Sequence, residues 1–462
     1  MRRWQARGPG TRTREAPLMG FEDVHQAVAD GSVHGTVADG WEQVRDAFAH
    51  NFTRRGDQGA AVAVYHQGRK VADLWGGSRD FDGGPGGKPW ERDTAQTVRS
   101  ATKGVAAACL LLLHQRGRLD LDAPVGTYWP EFKAHGKDRV TVRDVLAHRA
   151  GVPALDVPLT PAQALDGVSG PRALAAQPPL FPPGEEHGYH AQTYSWLLGE
   201  LVLRVTGRTL GRFLADEIAG PLGLDLWLGL PAGQEHRVGR IGPTAAPEPT
   251  TSGALRARPK QSVHDAYADP RSLTVRAFAA ITPIPDENDP AYRAAELAGS
   301  GGIATARALA RCYAAFVGDV EASEAAAGSG SETGPGAETG PGAETGSGAG
   351  AGSGGSAAGS AARVPRLLAP ATVTAARTVE SAGPDRVLVV NTLFGLGYML
   401  HGPSSPLLAP GSFGHPGRGG SLAFADPEHA VGFGYVTNGM QKNVTADPRA
   451  QALVRAVRDC LT

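Results

Sequence analysis

The sequence has few of the residues that build disulfide frameworks or metal sites. Of its 462 residues only three are cysteines, namely Cys109, Cys312 and Cys460. They lie far apart, so they cannot form a disulfide framework, and no pair has the spacing of metal ligands. We therefore expect a protein of a reducing compartment. The sequence carries no recognisable cofactor motif, and we predict neither a cofactor nor a metal.

The sequence also has no large excess of positive or negative residues, and its apolar runs are short. The formal net charge of -1 does not favour nucleic acid or an acidic membrane as a partner. The longest apolar run, Val105–Leu113, is about half of the ~18 residues that suggest a membrane span. It is typical of a buried core helix. The basic residues 1–7 have no apolar stretch behind them, so we expect no secretory signal and predict a cytoplasmic protein.

What is present is the composition of a soluble globular protein. Hydrophobic residues make up 41% and charged residues 20%, as in globular domains. Residues 60–66 and 70–75 predict an antiparallel hairpin with its turn at Gln67 and Gly68. Residues 394–400, 421–425 and 430–436 predict further strands. Strands thus occur at both ends of the chain, which predicts one sheet built from both ends with a helical region inserted between them.

Helices are predicted from apolar periodicity and from their end signals. The run after Ser100 predicts a helix that ends at Gly117. Thr141 and Asp144 form a candidate capping box. Further helices are predicted at 40–52, 194–207, 210–219, 305–316 and 447–461. Residues 154–183 are rich in proline and alanine and predict mostly loop. Residues 229–272 have little periodicity and predict long loops, which often border binding sites.

A Gly/Ala/Ser-rich tract at 321–363 repeats Glu-Thr-Gly and cannot form a core, so it predicts a disordered insertion. The resulting division of the chain has four parts. We predict a flexible tail at 1–35, a first α/β part at 36–125 that holds the nucleophile, a mostly helical and loop region at 126–294, and a second α/β part at 295–462 interrupted by the insertion.

The chemistry centres on Ser100 and Lys103. On a helix, residues three apart share one face, about 5–6 Å apart at Cβ. A serine in a first helical turn has unpaired N–H groups beside it, which favour a developing anion. A buried lysine loses its proton more easily and can accept or relay one. The pair has the arrangement of an activated serine nucleophile.

Two later segments supply candidate partners. Tyr189 lies in a loop before the helix at 194–207, and near a lysine its pKa would fall, so that it can act as a general base. The glycine-rich segment 414–420 precedes a predicted strand. Its glycines allow a substrate to approach the backbone closely, and an N–H there can complete an oxyanion hole.

Together these segments resemble the serine β-lactamase and penicillin-binding-protein superfamily, and most of all class C β-lactamases and family VIII carboxylesterases. Residues 100–103 (SATK) match Ser-x-x-Lys, and 141–153 (TVRDVLAHRAGVP) resemble the family's T-x-R-x-L-L-x-H-x-S-G-L-P segment. Pro183-Gly184 with Tyr189 matches the Pro-Gly…Tyr-x-Asn region. His415-Pro416-Gly417 stands where the family has Lys-Thr-Gly or His-x-Gly. The resemblance covers about 36–462 outside the insertion.

The resemblance implies an antiparallel sheet flanked by helices, with an inserted helical region. It implies that Ser100 is the acylated nucleophile, that Lys103 holds or shuttles its proton, and that Tyr189 is the general base. The N–H groups of Ser100 and Arg418 would then form the oxyanion hole.

The resemblance also implies that His415 and Gly417 belong to the substrate-binding or oxyanion-binding turn. His415 would contact substrate or support Tyr189, although a purely structural histidine fits the sequence too.

Two departures from the family pattern favour an ester substrate. The asparagine of Tyr-x-Asn is Ala191, and the lysine of Lys-Thr-Gly is His415. An amide for the β-lactam side chain and a permanent positive charge for its carboxylate are therefore missing. We predict a serine hydrolase of small-molecule carboxylic esters, with no nucleic-acid or membrane partner and an unspecified oligomeric state.

Several alternatives remain open on the sequence. The enzyme could be a β-lactamase or a D-alanyl peptidase, or the protein could be a catalytically silent relative that binds a ligand. Glu185, Glu186, His187 and His190 suggest a metal cluster, but Gly188 disfavours the helix that would align them. Asp144 and His148 are interpreted as a local pair.

Overall fold

The computed structural model describes residues 20–28, 31–82, 87–244, 261–322, 362–442 and 445–462. The strands are β1 (Phe21–Val28), β2 (Gly31–Ala38), β3 (Gly59–His66), β4 (Arg69–Gly77), β5 (Gln96–Thr97), β6 (Leu226–Leu228), β7 (Gly242–Pro243), β8 (Gly302–Ala304), β9 (Val320–Glu321), β10 (Arg363–Val364), β11 (Ser381–Pro384), β12 (Asn391–Phe394), β13 (Met399–Leu400), β14 (Phe413–Pro416), β15 (Leu422–Asp426), β16 (Val431–Thr437) and β17 (Gly439–Met440).

The α-helices are α1 (Glu42–Arg54), α2 (Thr102–Gln115), α3 (Val142–Leu146), α4 (Pro161–Leu165), α5 (Ser169–Ala176), α6 (Tyr194–Thr206), α7 (Leu210–Leu214), α8 (Gly220–Leu222), α9 (Gln261–Ala268), α10 (Leu273–Phe278), α11 (Pro290–Arg293), α12 (Ala306–Val317), α13 (Pro370–Arg377) and α14 (Pro448–Cys460). A π-helical segment, Ala215–Ala219, joins α7 to α8.

One antiparallel sheet of ten strands joins the two ends of the chain. Its spatial order is β1-β2-β4-β3-β16-β15-β14-β13-β12-β11. The centre of the sheet is the pairing of β3 with β16, where Val62 lies opposite Tyr435. The predicted hairpin of β3 and β4 is confirmed, and its turn residues Gln67 and Gly68 both have positive φ, as the turns of two-residue hairpins require.

Both faces of the sheet are covered, which explains why β3 is apolar from Ala60 to Val64. Ala61 and Ala63 face the larger core, which contains α2, α6 and α12. Val62 and Val64, on the opposite face, pack with α1 and α14. Alternate residues of a strand point to opposite faces, so a strand between two helical layers needs small or branched apolar residues throughout.

Several predicted helices and ends are confirmed. Thr141 and Asp144 form a reciprocal capping box at the start of α3. Gly117 follows α2 with a φ of +67°, and Gly207 closes α6 in the left-handed conformation. Thr305 accepts a hydrogen bond from the N–H of Ala308 and so caps α12.

The prediction of a flexible tail at 1–35 is wrong for residues 21–28 and 31–35, which form strands. β1 and β2 form an antiparallel hairpin at the edge of the large sheet, with Val24 opposite Gly35. Val33 on β2 is fully buried, so packing against α1 orders a segment whose sequence has weak periodicity. Residues 1–19 lie outside the described residues.

Three further predictions of local structure are wrong in detail. The predicted loop at 154–183 contains α4 and α5, because Thr160 and Gln163 form a capping box. The predicted loop at 229–272 contains α9. The predicted strand at 394–400 is interrupted by a turn, since Gly397 has a φ of +86° and separates β12 from β13.

Most of the predicted insertion, residues 323–361, lies outside the described residues. Its two flanks, β9 and β10, pair antiparallel with Val320 opposite Val364. The chain therefore leaves and re-enters the fold at one place. The predicted domain boundaries remain predictions.

Candidate active site

Ser100 lies in a short 3₁₀ turn, Arg99–Ala101, that leads directly into α2. The sequence predicts the first turn of an α-helix, and the structure differs by this tighter turn. Ser100 is partly exposed while α2 behind it is buried from Thr102 to Leu113. As the second residue of the turn, Ser100 has an N–H without an acceptor in the helix. A core helix thus presents a reactive side chain and a backbone donor at its exposed start.

Lys103 lies beneath Ser100 on the same helix and is fully buried. Its Nζ is 3.4 Å from Ser100 Oγ, 3.0 Å from the carbonyl oxygen of Ala191 and 2.7 Å from that of Gly299. Burial holds the pKa of Lys103 well below its ordinary value, because a charged amine loses its hydration there. No carboxylate approaches this amine among the described residues, so the neutral form is favoured.

Tyr189 lies in the loop before α6 and is 2% exposed. Its ring lies 4.7 Å from Lys103 Nζ, measured to the ring centroid. Burial raises the pKa of Tyr189, and its hydrogen bond with Ser100 opposes that shift. The expected lowering of this pKa by the neighbouring lysine is therefore wrong, because Lys103 is itself buried and approaches the ring face.

Asp385, which precedes the loop between β11 and β12, holds the Tyr189 backbone. Its Oδ1 accepts hydrogen bonds from the N–H groups of Tyr189 at 3.1 Å, Val387 at 2.8 Å and Leu388 at 2.8 Å. Burial raises the pKa of Asp385, and these hydrogen bonds oppose that shift. No sequence signal singled out this residue, because it reaches Tyr189 across 196 positions of chain.

His148 is also part of the site, and its predicted pairing with Asp144 is wrong. Asp144 caps α3 through Thr141, whereas His148 has a positive φ of 61° that turns its ring into the core. Its ring lies 5.0 Å from that of Tyr189 and 5.4 Å from that of His190. Its Nδ1 accepts the N–H of His190 at 3.2 Å. Burial keeps the pKa of His148 far below its ordinary value.

His415 lies on β14 and is buried, not in an exposed turn. Its ring centroid lies 5.9 Å from that of Tyr189. Its Nδ1 bonds to the carbonyl oxygen of Pro416 at 2.8 Å, and its Nε2 is buried with no hydrogen-bond partner among the described residues. Burial lowers the pKa of His415 to about 3, so at neutral pH this side chain carries no positive charge.

The end of β14 lies directly against the turn of Ser100. A Cβ on Gly417 would lie 2.2 Å from the carbonyl oxygen of Val98, so only glycine permits this approach. The Gly417 N–H donates to the carbonyl oxygen of Ser421 at 2.7 Å, so it is not free to bind a substrate oxygen, and the place of Gly417 in the substrate-binding or oxyanion-binding turn stays a prediction. The Arg418 N–H donates to no group within the described ranges, and this leaves it open to a ligand.

The candidate metal ligands are not brought together. Glu186 pairs with Arg386 at 2.7 Å, His187 bonds to Thr392 at 2.8 Å, and His190 bonds to the carbonyl of Gly188 at 2.8 Å. Across the part of the chain that is described, no cluster of three or more metal-ligating side chains occurs. The same residues include no helix long and apolar enough to cross a membrane.

The large antiparallel sheet and a serine with a buried lysine and tyrosine define a protein of the serine β-lactamase and penicillin-binding class. The chain belongs to the beta-lactamase family, whose model matches residues 44–458. The resemblance and fold class that the sequence predicts are therefore confirmed.

Individual relatives include esterases. The chain is 34% identical to the Esterase/beta-lactamase LipL of Mycobacterium tuberculosis (strain ATCC 25618 / H37Rv) over 399 residues, which are 85% of this chain and 80% of that protein. A solved family VIII carboxylesterase has a TM-score of 0.73 and 31% identity, covering 93% of this chain and 99% of its own. A penicillin-binding protein homologue from Caulobacter crescentus has a TM-score of 0.72 and 32% identity, with coverage of 93% and 99%.

Proposed function

We propose that this protein is a serine hydrolase that cleaves small-molecule carboxylic esters through an acyl-enzyme on Ser100. The observation that carries the proposal is the position of Lys103 Nζ, 3.4 Å from Ser100 Oγ, in a buried environment that favours the neutral amine. A serine hydroxyl is a weak nucleophile until a base accepts its proton, and here a base lies within reach.

Lys103 is the base for acylation in this proposal. A neutral amine has two N–H bonds and one lone pair. The carbonyl oxygens of Ala191 and Gly299 can only accept hydrogen bonds, so both N–H groups of the amine donate to them. The lone pair is then left for the hydroxyl proton of Ser100. When Ser100 Oγ attacks the ester carbonyl carbon, that proton moves to Lys103 and the carbonyl oxygen becomes negative.

Tyr189 is the proton donor to the leaving alcohol. Its raised pKa keeps the phenol protonated at neutral pH, which suits a general acid better than the general base that the resemblance implies. As the tetrahedral intermediate collapses, the ester C–O bond breaks and the leaving oxygen takes the Tyr189 proton. The proton on Lys103 then returns to the Tyr189 oxygen. In the second half of the reaction a water molecule attacks the acyl carbon and gives one proton to Lys103, whose Nζ lies 3.4 Å from Ser100 Oγ. The bond between the acyl carbon and Oγ then breaks, Oγ takes that proton, and the carboxylic acid leaves.

Two backbone N–H groups stabilise the negative oxygen of the intermediate. The N–H of Ser100 belongs to the first positions of its turn, and the N–H of Arg418 lacks a partner among the described residues. Donors that need no reorganisation are typically worth about 10²–10³-fold in rate each. His415 supports the Tyr189 ring by packing and adds no charge.

An ester is the favoured substrate because the groups expected for a β-lactam are absent. Ala191 offers a methyl group where the family has an amide, and the pKa of His415, about 3, leaves that residue neutral. The names of LipL and of the family VIII carboxylesterase, both esterases, support this choice. LipL is also named a beta-lactamase, which makes β-lactam hydrolysis the second candidate.

The discriminating experiment compares kcat/KM for p-nitrophenyl butyrate and for nitrocefin with the same purified protein. We expect the ester to be the better substrate. Faster nitrocefin turnover would make the protein a β-lactamase, and no turnover of either compound by folded protein would support a silent binding relative. A cytoplasmic location stays part of the proposal, supported by three free cysteines, and fractionation of the producing cells tests it.

A further inference from the structure

Arg99, directly before the nucleophile, has an unusual backbone conformation. Its φ is +49°, a left-handed value that costs a non-glycine residue roughly 1–2 kcal/mol. Such a conformation persists only when surrounding contacts hold it. It also fixes the direction in which the next peptide, which carries the Ser100 N–H, leaves the turn.

The side chain of Arg99 supplies those contacts. Its Nε lies 3.1 and 3.0 Å from the two carboxylate oxygens of Glu287, and its Nη2 lies 2.5 Å from Oε2. Its Nη1 donates to the carbonyl oxygen of Arg418 at 2.9 Å. Arg99 thus connects the nucleophile turn, the segment of Glu287 between α10 and α11, and the loop after β14.

The loop of Arg418 is rigid within itself. The Gly417 N–H donates to Ser421 at 2.7 Å, and the Gly417 carbonyl accepts the N–H of Gly420 at 3.1 Å. A planar trans peptide holds the Gly417 carbonyl and the Arg418 N–H in opposite directions, so this second bond orients the Arg418 N–H. Among the described residues no backbone hydrogen bond joins this loop to the Ser100 turn, and the side chain of Arg99 makes that connection.

We propose that Arg99, held by Glu287, is a positioning residue that sets the spacing and direction of the two oxyanion donors, the N–H groups of Ser100 and Arg418. This rests on the proposed function, since it concerns the same reaction. Arg99 touches no reacting atom. Its backbone orients one donor and its side chain anchors the loop that carries the other, so a single residue aligns both halves of the oxyanion hole.

The alternative hypothesis is that Arg99 and Glu287 form a partly exposed ion pair that only stabilises the fold. Such pairs contribute little to folding, typically about 0–1 kcal/mol. The two readings differ in what they affect. A stabilising ion pair alters the unfolding free energy, whereas a positioning residue alters the affinity for the negative transition state and leaves the affinity for neutral substrate nearly unchanged.

The test uses Arg99→Lys, which keeps the charge but cannot make all of these bonds, and Glu287→Gln, which removes the anchoring charge. Glu217→Gln is the matched control, because Glu217 pairs with Arg116 and Arg208, both at 2.7 Å, away from the site. For each protein one measures kcat and KM for p-nitrophenyl butyrate, the inhibition constant of an alkyl boronic acid, the second-order labelling rate of Ser100 by a fluorophosphonate, and urea unfolding.

We expect kcat and boronate affinity to fall in parallel by roughly 10–100-fold in the two site variants, with KM within about two-fold and the control unchanged. The proposal would be overturned if kcat and boronate affinity stay unaltered in the site variants. It would also be overturned if their decrease is fully explained by the fraction of unfolded protein in the sample. The labelling rate separates the two claims. If the wild-type protein is labelled but cleaves no ester, the proposed function fails, while slower labelling of the variants still supports the positioning role and equal labelling contradicts it.

Discussion

At the scale of single residues, burial determines which groups can carry protons. Lys103, Tyr189 and His415 are all removed from water, so burial lowers the pKa of the amine and the imidazole and raises that of the phenol. Each side chain is thereby kept neutral at physiological pH. A neutral amine is a base and a neutral phenol is an acid, so the assignment of roles follows from the same physical cause.

Replacement of Lys103 tests its role as the base. Lys103→Met should lower kcat by roughly 10²–10⁴-fold, as expected for loss of general base catalysis, without lowering the free energy of unfolding, because methionine has no charge to desolvate. Lys137→Met is the matched control, since the Lys137 side chain is also buried and its Nζ donates to the carbonyls of Ala134, Ala175 and Gln177. Ester kinetics and urea unfolding provide both quantities. Near-normal turnover by Lys103→Met would remove the residue from the mechanism.

At the scale of elements, the site is assembled where α2, the loop before α6 and the end of β14 meet. The close contact between β14 and the Ser100 turn depends on Gly417, whose hypothetical Cβ lies 2.2 Å from Val98 oxygen. Backbone atoms cannot give way as a side chain can, so a side chain at 417 must push the oxyanion loop away from the nucleophile.

Gly417→Ala should therefore reduce kcat/KM by about 10²-fold, the typical effect of a displacement of about 1 Å in a catalytic group. Gly199→Ala is the control, because a Cβ at that helical position has no described atom within 4 Å other than its chain neighbours and the backbone of its own helix. It should keep full activity and gain about 0.5–1 kcal/mol of stability. Equal activity of both variants in ester hydrolysis would show that the close contact does not matter.

The sequence predicts local elements well and distant contacts poorly. The capping box of Thr141 and the hairpin turn at Gln67 depend on neighbours in sequence, and the structure has both. The contact between Asp385 and Tyr189 and the packing of His148 against the same ring depend on the tertiary fold. No local sequence pattern predicts these two contacts. The residues that flank an aspartate or a histidine in the sequence do not show whether its side chain is buried or exposed.

At the scale of the whole molecule, strands from both ends of the chain meet in the centre of one sheet. The pairing of β3 with β16 places the Ser100 helix on one face and the terminal helix α14 on the other. The catalytic side chains therefore come from segments that fold only when both ends are present. Unfolding and loss of activity should accordingly occur together.

Buried histidines, among them His148, His190 and His415, make the stability of the fold depend on pH. Burial lowers the pKa of His190 and of His415 to about 3, against about 6.5 in an unfolded chain. Between these values the unfolded state binds more protons, so stability is lost as the pH falls below about 6.5. Each histidine contributes at most about 1.4 kcal/mol per pH unit.

Urea unfolding at pH 7.5, 6 and 5 measures this dependence. His415→Gln should show a shallower loss of stability than wild type because one of the buried neutral histidines is gone, whereas His50→Gln, at an exposed position, should not. Parallel curves for wild type and His415→Gln would contradict the burial of a neutral His415.

The central claim is that Ser100 is the nucleophile, and covalent labelling tests it most directly. The folded protein is treated with a fluorophosphonate, digested, and the modified residue is identified by mass spectrometry. We expect one adduct, on Ser100, with labelling and ester hydrolysis both abolished in Ser100→Ala. Labelling that persists in Ser100→Ala at the wild-type rate, or an adduct on another residue, would contradict the account.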